Sequence, residues 1–311
     1  MRSWTDRSRG RLLGVLLLVV VSFGCTAGGS EEAAILRGDE AFARGDVTEA
    51  LAEYRLALRQ GSRGIGALVR AAHAYAWSGR IDEARDHYRE AIEADPEVAD
   101  MAAADLLRVA KRASERGDGV GAATAVEAAM ELKPGVSLTG VSLPLARYFA
   151  RNGQFGRALP FYQQAVREIG TDPEVLFEMA LSHEELGDCQ RALLFFEQAL
   201  EEVSVARRSE VEWHVGNCSF ELAREAYEED EDLEEALRLY EVTIELGEPR
   251  NRLAQAWFEM GEILAERGEC TAAVAAFEQV LREDLAGAVL MEAARNRVDE
   301  IRFSRSGDGP C

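Results

Sequence analysis

The feature that most constrains this sequence is an internal repeat that returns every 34 to 44 residues. In six copies a glycine precedes an alanine by five residues, and an apolar or aromatic residue follows that alanine four positions later. The glycine–alanine pairs are Gly45–Ala50, Gly79–Ala84, Gly117–Ala122, Gly153–Ala158, Gly187–Ala192 and Gly268–Ala273. A seventh copy keeps Ala236 and Tyr240 but lacks the glycine. Such a period predicts an array of like units, each of which buries its apolar face against its neighbours.

Each copy predicts two amphipathic helices joined by a tight turn, and residues 65–98 show this most clearly. Gly79 supplies the backbone freedom that is required between two helices. Ala84 and Ala91 are seven residues apart and fall on one helical face, where small side chains let a partner helix approach. Aromatic residues make up only 7% of the chain, and alanine, leucine, glutamate and arginine, which favour helices, are abundant. We therefore expect an all-α fold.

This pattern resembles the tetratricopeptide repeat, and the resemblance covers residues 31–285. The approximate repeats are 31–64, 65–98, 103–136, 139–172, 173–206, 209–251 and 254–285. The resemblance implies a right-handed superhelical solenoid of about seven helix–turn–helix pairs. Because the last repeat of an array needs a cover for its exposed face, residues 286–303 are expected to form a capping helix. Residues 304–311 then form a polar tail.

The first residues are typical of an export signal. Four arginines precede the uncharged stretch Leu12–Phe23, which is too short to span a membrane. Gly24–Cys25 resembles the lipobox of bacterial lipoproteins, which implies cleavage of a signal peptide at residues 1–24 and lipid attachment to Cys25. Thr26 after the cysteine implies an outer-membrane lipoprotein facing the periplasm, with residues 25–30 as a flexible tether. The alternative is an ordinary signal and a soluble periplasmic or secreted protein.

Four further cysteines follow in a chain that we expect to be exported to an oxidising compartment. Cys189 begins the second helix of its repeat, and Cys218 lies on the first helix of the next repeat, so we predict a Cys189–Cys218 disulfide. Cys270 and Cys311 form the remaining pair. The alternative is a zinc site, because histidine and cysteine suit Zn²⁺; its ligands would be His183, Cys189, His214 and Cys218.

The chain is strongly acidic, with 35 Lys+Arg against 56 Asp+Glu and a formal charge of −21. Because this charge repels phosphate backbones, we expect no nucleic-acid partner. Glu228–Glu235 concentrates seven acidic residues in eight positions, and it coincides with the longest interval between repeats. We interpret this run as a solvated insertion, with a docking site for a basic partner as the alternative.

Sequence motifs of catalysis are absent. The chain has no glycine-rich phosphate loop, no His-Glu-x-x-His and no Gly-x-Ser-x-Gly. We therefore predict a protein that is not an enzyme, with no catalytic residues, no cofactor and no metal.

The resemblance also implies a concave groove lined by the first helix of each repeat. Aromatic side chains on such a face are candidate anchors for a partner, and neighbouring arginines are suited to a carboxylate. The predicted lining residues are Phe42, His73, Trp77, Lys111, Arg147, Arg151, Phe177, Trp213, Asn217, Phe220 and Phe258. The alternative for the aromatic residues is that they pack against neighbouring helices.

These features predict a non-enzymatic scaffold or adaptor that is anchored by lipid in the bacterial cell envelope. Its expected partners are other cell-envelope proteins or peptides. Relatives of this design act in pilus assembly, outer-membrane protein insertion and regulation of periplasmic proteases, and the sequence does not choose among them. The alternatives are a peptide- or glycan-binding module that uses the aromatic groove, and a zinc-binding protein.

Overall fold

The computed structural model describes residues 28–228, 232–303 and 311. These residues form fifteen α-helices and no strand. In chain order the helices are α1 (Gly28–Ala43), α2 (Val47–Arg59), α3 (Ile65–Trp77), α4 (Ile81–Ala94), α5 (Val98–Glu115), α6 (Gly119–Leu132), α7 (Ser142–Arg151), α8 (Phe155–Ile169), α9 (Pro173–Glu184), α10 (Cys189–Glu202), α11 (Val205–Glu228), α12 (Leu233–Leu246), α13 (Arg250–Glu266), α14 (Cys270–Val280) and α15 (Ala288–Phe303). The predicted all-α class is confirmed.

The helices are organised in consecutive pairs. Each odd-numbered helix from α1 to α13 packs against the helix that follows it, which gives seven pairs. The last helix, α15, packs on both helices of the seventh pair. The prediction of about seven helix–turn–helix pairs and a C-terminal capping helix is therefore confirmed.

The turns within the pairs have the backbone conformation that the repeated glycine predicts. Gly79 and Gly187 have φ angles of 81° and 77°, in the region where side chains with a Cβ are strained. After Gly187, the Asp188 carboxylate accepts a hydrogen bond from the Arg191 backbone N–H at 3.1 Å and caps α10. The turn is thus fixed by residues local to it.

The small residues of the repeat lie at the helix contacts. Ala84, Tyr88 and Ala91 of α4 are all fully buried. In the seventh pair the contact is closer still, because a Cβ added to Gly261 would lie 2.7 Å from a ring carbon of Phe277. Small side chains at these positions therefore set the distance between the helices of a pair.

Contacts divide the chain into two compact units at Pro96 and Glu97. The N-terminal unit contains helices α1–α4, and the C-terminal unit contains helices α5–α15. In the C-terminal unit, most of the buried residues after Phe220 belong to one continuous apolar core that α15 completes through Ala294 and Val298.

The N-terminal end of the predicted repeat array differs in part from the expectation. Helix α1 begins at Gly28, so the prediction of a flexible tether up to Ser30 is wrong for residues 28–30; Glu31 in the first helical turn favours the helix through its charge. The predicted signal peptide and Cys25 lie outside the described residues. Within the described part of the chain, no helix is both long and apolar enough to cross a membrane.

The acidic run Glu228–Glu235 joins two helices of one pair. Helix α11 has 24 residues and ends at Glu228, and Asp232 caps α12 by accepting a hydrogen bond from the Glu235 N–H at 3.1 Å. Residues 229–231 lie outside the described residues. The described part of this run therefore extends one helix and caps the next.

Candidate partner-binding face

Successive first helices of the C-terminal unit are connected by ion pairs between arginine and glutamate. The pairs are Arg147–Glu178 between α7 and α9, Arg207–Glu174 between α11 and α9, Arg252–Glu221 between α13 and α11, and Arg297–Glu262 between α15 and α13. Their N···O distances are 2.7–2.9 Å. We call the surface that these first helices form the first-helix face. Because the pairs are partly exposed, each adds little to stability, but together they fix which side chains meet on this face.

Three of these arginines, Arg207, Arg252 and Arg297, also lie over aromatic rings. The guanidinium carbon of Arg207 lies 5.0 Å from the ring centre of Phe177, and that of Arg252 lies 4.7 Å from the ring centre of Phe220. Phe177 is 2% exposed and Phe220 is 0% exposed. The arginine of one repeat therefore covers a buried phenylalanine of the repeat before it.

A cleft opens between α7, α8 and α9, with a volume of about 480 Å³. Its lining residues are Arg147, Ala150, Arg151, Phe155, Tyr162, Glu178, Leu181 and Ser182. Ala150, Phe155 and Leu181 are half-buried apolar residues, and Arg151 is exposed. This α7–α9 cleft combines apolar walls with an accessible cation, as sites for peptides and small ligands commonly do.

The polar residues in the cleft are ordered by Glu178. The Arg147 Nε donates hydrogen bonds to both carboxylate oxygens of Glu178, at 3.0 and 2.8 Å. This hydrogen bonding raises the pKa of the Arg147 guanidinium. Burial, then the charge of Glu178 and a hydrogen bond to its carboxylate, raise the pKa of the Tyr162 hydroxyl. Arg147 is committed to Glu178, so Arg151 is the cation that the cleft presents to a ligand.

A second polar group lies further along α9, against α11. Glu184 contacts His214 Nδ1 at 2.6 Å and accepts a hydrogen bond from Asn217 Nδ2 at 3.0 Å. His214 stacks on Phe196, with ring centres 5.2 Å apart, and Trp213 meets His214 edge to face at 4.9 Å. Trp213 is 41% exposed. The Glu184 group thus holds a tryptophan on the surface of the first-helix face.

In the N-terminal unit, three rings form a separate cluster. Phe42 lies 4.7 Å from His73 and 5.9 Å from Trp77, and the rings of His73 and Trp77 are 5.5 Å apart. All three side chains are half-buried. The sequence-predicted groove residues of this unit therefore do come together.

Comparison with known families identifies the repeat. One tetratricopeptide repeat model matches residues 66–98, and another matches residues 143–207 and 220–288. Together these matches span just over half of the chain. The chain belongs to the tetratricopeptide repeat (TPR) family.

Similar proteins include other TPR proteins. The cellulose synthase operon protein C of Xanthomonas axonopodis pv. citri is 32% identical over 154 residues, which are 48% of this chain but only 10% of that protein. A TPR repeat-containing protein from Cytophaga hutchinsonii is 18% identical, with 83% of this chain and 98% of that chain covered and a TM-score of 0.38. MamA is 16% identical, with 65% and 97% covered and a TM-score of 0.35.

The TPR register places most predicted groove residues on the first helices, but two of them are corrected. Phe177 and Phe220 are wrong as surface anchors, because the neighbouring TPR buries them under Arg207 and Arg252. The side chain of Phe258 is half-buried, with its ring 5.4 Å from that of Phe277.

Of the polar residues, Arg147 and Asn217 are bonded to glutamates, whereas Lys111 and Arg151 are exposed. The sequence reasoning missed the glutamates that order this face, Glu178 and Glu184. The signal that predicts them is a glutamate on one first helix that lies about one TPR period before or after an arginine, histidine or asparagine on the neighbouring first helix.

The cysteines approach one another in the predicted pairs. The Sγ atoms of Cys189 and Cys218 are 2.29 Å apart, and those of Cys270 and Cys311 are 2.00 Å apart. The first pair connects the start of α10 to the middle of α11, so it crosses the boundary between two TPR units. The second pair connects the C-terminal residue to the start of α14.

The four candidate zinc ligands do not converge on one metal position. His214 contacts Glu184, and the ring of His183 is buried and stacks on Phe195. Cys189 and Cys218 are directed at each other. Among all the described residues, no three histidine, cysteine, aspartate or glutamate side chains are placed to hold a metal ion.

Proposed function

We propose that this TPR protein is a non-catalytic scaffold that binds protein segments on the first-helix face of its C-terminal unit. The observation that carries the proposal is the succession, along α9, of the α7–α9 cleft with Arg151 and the Glu184 group with the exposed Trp213. Apolar walls and a protruding tryptophan supply contact area, and Arg151 supplies an anion site.

The test is capture of partners by variants that leave the packing intact. Trp213→Ala and Arg151→Glu are expected to reduce cross-linking to partners in intact cells at least tenfold. The matched controls are Leu194→Ala, which removes an exposed apolar side chain from the second helix α10, and Arg55→Glu, which reverses an exposed charge on the second helix α2. Equal capture by the two groups of variants would refute the proposed face.

We also propose that the protein is a lipoprotein of the bacterial outer membrane that faces the periplasm. The proposal rests on the signal-like residues 1–24 and on Gly24–Cys25. A single acyl chain binds a membrane only marginally, whereas the two or three chains of a processed lipoprotein give stable anchoring. Cys25→Ala is expected to move the protein from the membrane to the soluble fraction and to abolish labelling with radioactive palmitate. A Cys25→Ala protein that stays in the membrane fraction would contradict lipid anchoring.

A second candidate function is binding of a glycan by the ring cluster of the N-terminal unit. It is favoured by the half-buried rings of Phe42, His73 and Trp77 and by the similarity to a protein named for a cellulose synthase operon. Trp77→Ala should then abolish retention of the full-length protein on immobilised cello-oligosaccharides, while Trp213→Ala should not. A wild-type protein that is not retained would reject this candidate.

A further inference from the structure

The turns of two TPR units allow their residues to be compared position by position. In the α7–α8 turn the Gln154 N–H donates to the Phe149 carbonyl, and in the α11–α12 turn the Asp232 N–H donates to the Ala226 carbonyl. Counted from these bonds, Arg147 is equivalent to Arg224, and Tyr162 is equivalent to Tyr240. The two units therefore offer the same residue types at the same positions.

The following first helices can be aligned in the same way. The Asp188 N–H donates to the His183 carbonyl, and the Glu269 N–H donates to the Leu264 carbonyl. Glu178 and Glu259 both lie five residues before the accepting residue, so they are equivalent. The set Arg147, Tyr162 and Glu178 thus recurs in the next-but-one TPR unit as Arg224, Tyr240 and Glu259.

In the first set the arginine forms an ion pair with the glutamate. The Arg147 Nε donates to both oxygens of Glu178, and this carboxylate lies in the cleft with the Tyr162 side chain. This arrangement shows which chemistry fits the position, namely a guanidinium and a tyrosine hydroxyl that both bond one half-buried carboxylate.

In the second set the arginine is directed elsewhere. Among the described residues, Arg224 donates hydrogen bonds to two glutamates of its own helix, at 3.3 Å to Glu221 and 3.3 Å to Glu228. The hydrogen bond of Glu259 is a 3.4 Å contact from Gln255, four residues earlier on α13. Within the described part of the chain, no guanidinium therefore bonds Glu259 as Arg147 bonds Glu178, although the charge of Arg224 acts on both Glu259 and Tyr240.

The Tyr240 hydroxyl gives independent evidence that the site beside Glu259 lacks a hydrogen-bond partner. Its side chain is 0% exposed, and its hydroxyl has no hydrogen-bond partner among the described residues. Burying a hydroxyl without a partner costs about 1–3 kcal/mol. The charged groups that act most on this hydroxyl are Glu259, Arg224 and Glu228.

The charge around Glu259 also favours a cation. Burial raises the pKa of the Glu259 carboxyl, and the neighbouring charges of Glu262 and Glu228 raise it further. The hydrogen bond from Gln255 and the charge of Arg224 lower this pKa only in part. An arriving cation offsets both contributions, since it neutralises the carboxylate and weakens the repulsion between the acids.

We propose that Glu259 and Tyr240 form a binding site for an arginine side chain of a partner protein. The proposal rests on the proposed function, because Glu259 lies on α13, a first helix of the same C-terminal unit, and Tyr240 lies on the preceding helix α12. In the complex the Glu259 carboxylate accepts guanidinium N–H groups of the partner's arginine, as Glu178 accepts the Nε of Arg147, and it also accepts a hydrogen bond from the buried Tyr240 hydroxyl, as Glu178 does from Tyr162. The site therefore selects partner segments that present an arginine to α13.

The test uses the full chain and two synthetic probes, the peptide acetyl-Ala-Arg-Ala-amide and its citrulline analogue, which has the same shape without the charge. Binding is followed by NMR titration of the protein with ¹³C-labelled tyrosine rings. We expect saturable shifts of the Tyr240 signal with the arginine peptide. Glu259→Gln should weaken binding at least tenfold, and Tyr240→Phe should weaken it several-fold.

The matched control is Glu201→Gln, which removes the same charge from an exposed position on α10. Equal binding by Glu259→Gln and Glu201→Gln, or equal binding of the citrulline peptide, would overturn the site. Thermal unfolding supplies a second readout that does not depend on a ligand. Glu259→Gln should melt no lower than the parent, because it removes an uncompensated charge, whereas Glu178→Gln should melt lower, because it strands Arg147.

The two proposals fail in different ways. If Trp213→Ala abolishes partner capture in cells and Glu259→Gln does not, the first-helix face binds partners and the arginine site is wrong. If the arginine peptide binds with the expected variant pattern and neither Trp213→Ala nor Arg151→Glu affects capture, the arginine site is supported and the proposed use of the cleft and Trp213 is wrong.

Discussion

The sharpest consequence of the tertiary structure is a contrast between two aromatic residues on one helix. Phe220 and Trp213 both lie on α11, and the sequence predicts both as partner anchors. In the structure Phe220 is completely buried, whereas Trp213 is 41% exposed. Replacing each with alanine therefore tests packing in one variant and surface contact in the other.

The surroundings of Phe220 determine how much unfolding free energy the Phe220→Ala variant is expected to lose. Truncation of a fully buried phenylalanine costs about 3–5 kcal/mol from lost transfer energy and the resulting cavity. The ring also meets Tyr240 edge to face at 5.6 Å and lies beneath Arg252 at 4.7 Å, which places the expected loss in the upper half of that range. Trp213→Ala leaves no enclosed cavity, so we expect a cost of about 1 kcal/mol or less.

The assay is urea unfolding of the full chain, followed by circular dichroism, for the parent and both variants. Because repeat arrays can unfold unit by unit, all proteins also carry Trp4→Phe and Trp77→Phe, so that tryptophan fluorescence reports only the C-terminal unit, through Trp257 in α13 and, where it is present, Trp213. A Phe220→Ala variant within 1 kcal/mol of the parent would refute the assignment of this ring to the core. An equally large loss in Trp213→Ala would refute its assignment to the surface.

Three other perturbations have expected outcomes. The double variant Cys189→Ser/Cys218→Ser opens a loop with a sequence separation of 29. The lost constraint on the unfolded chain should lower the unfolding free energy by about 3–4 kcal/mol, measured in urea against the oxidised parent. An unchanged midpoint would mean that the bond does not form. Gly216→Ala should destabilise the fold by about 2 kcal/mol or more in thermal unfolding, because the added Cβ collides with the Glu248 carbonyl; an unchanged melting temperature would count against this close approach. Burial lowers the pKa of His183 below its unfolded value, so the unfolded chain binds more protons and stability should fall as the pH drops below about 6.5; His183→Phe should flatten that part of the stability–pH curve, and an identical curve would contradict the burial.

The sequence predicted the helix pairs because their signals are local. A glycine with positive φ, such as Gly79, ends one helix within a few residues, and the spacing of Ala84 and Ala91 places two small side chains on one face whatever surrounds them. The Cys189–Cys218 pair was predictable for a related reason, since the repeat register brings the start of α10 near the middle of α11, whereas Cys270–Cys311 followed only as the remaining pair.

The candidate site was only partly predictable, because it depends on side chains supplied by neighbouring repeats. Phe220 and Trp213 are indistinguishable as sequence signals, and only the arginine that arrives from the next first helix decides which ring is covered. Arg147 and Arg224 are equivalent in sequence, but one reaches across to a glutamate of the next helix and the other pairs along its own helix.

The sequence by itself thus determined the elements, their pairing and the acidic charge, since each follows from turns and periodicities within about 40 residues. The tertiary structure decided which aromatic and charged side chains remain available to a partner. The physical reason is that the exposure of a ring and the neutralisation of a charge depend on contacts between neighbouring repeats. Long side chains such as Arg207 and Arg224 adopt the rotamers that make these contacts only after the helices have packed.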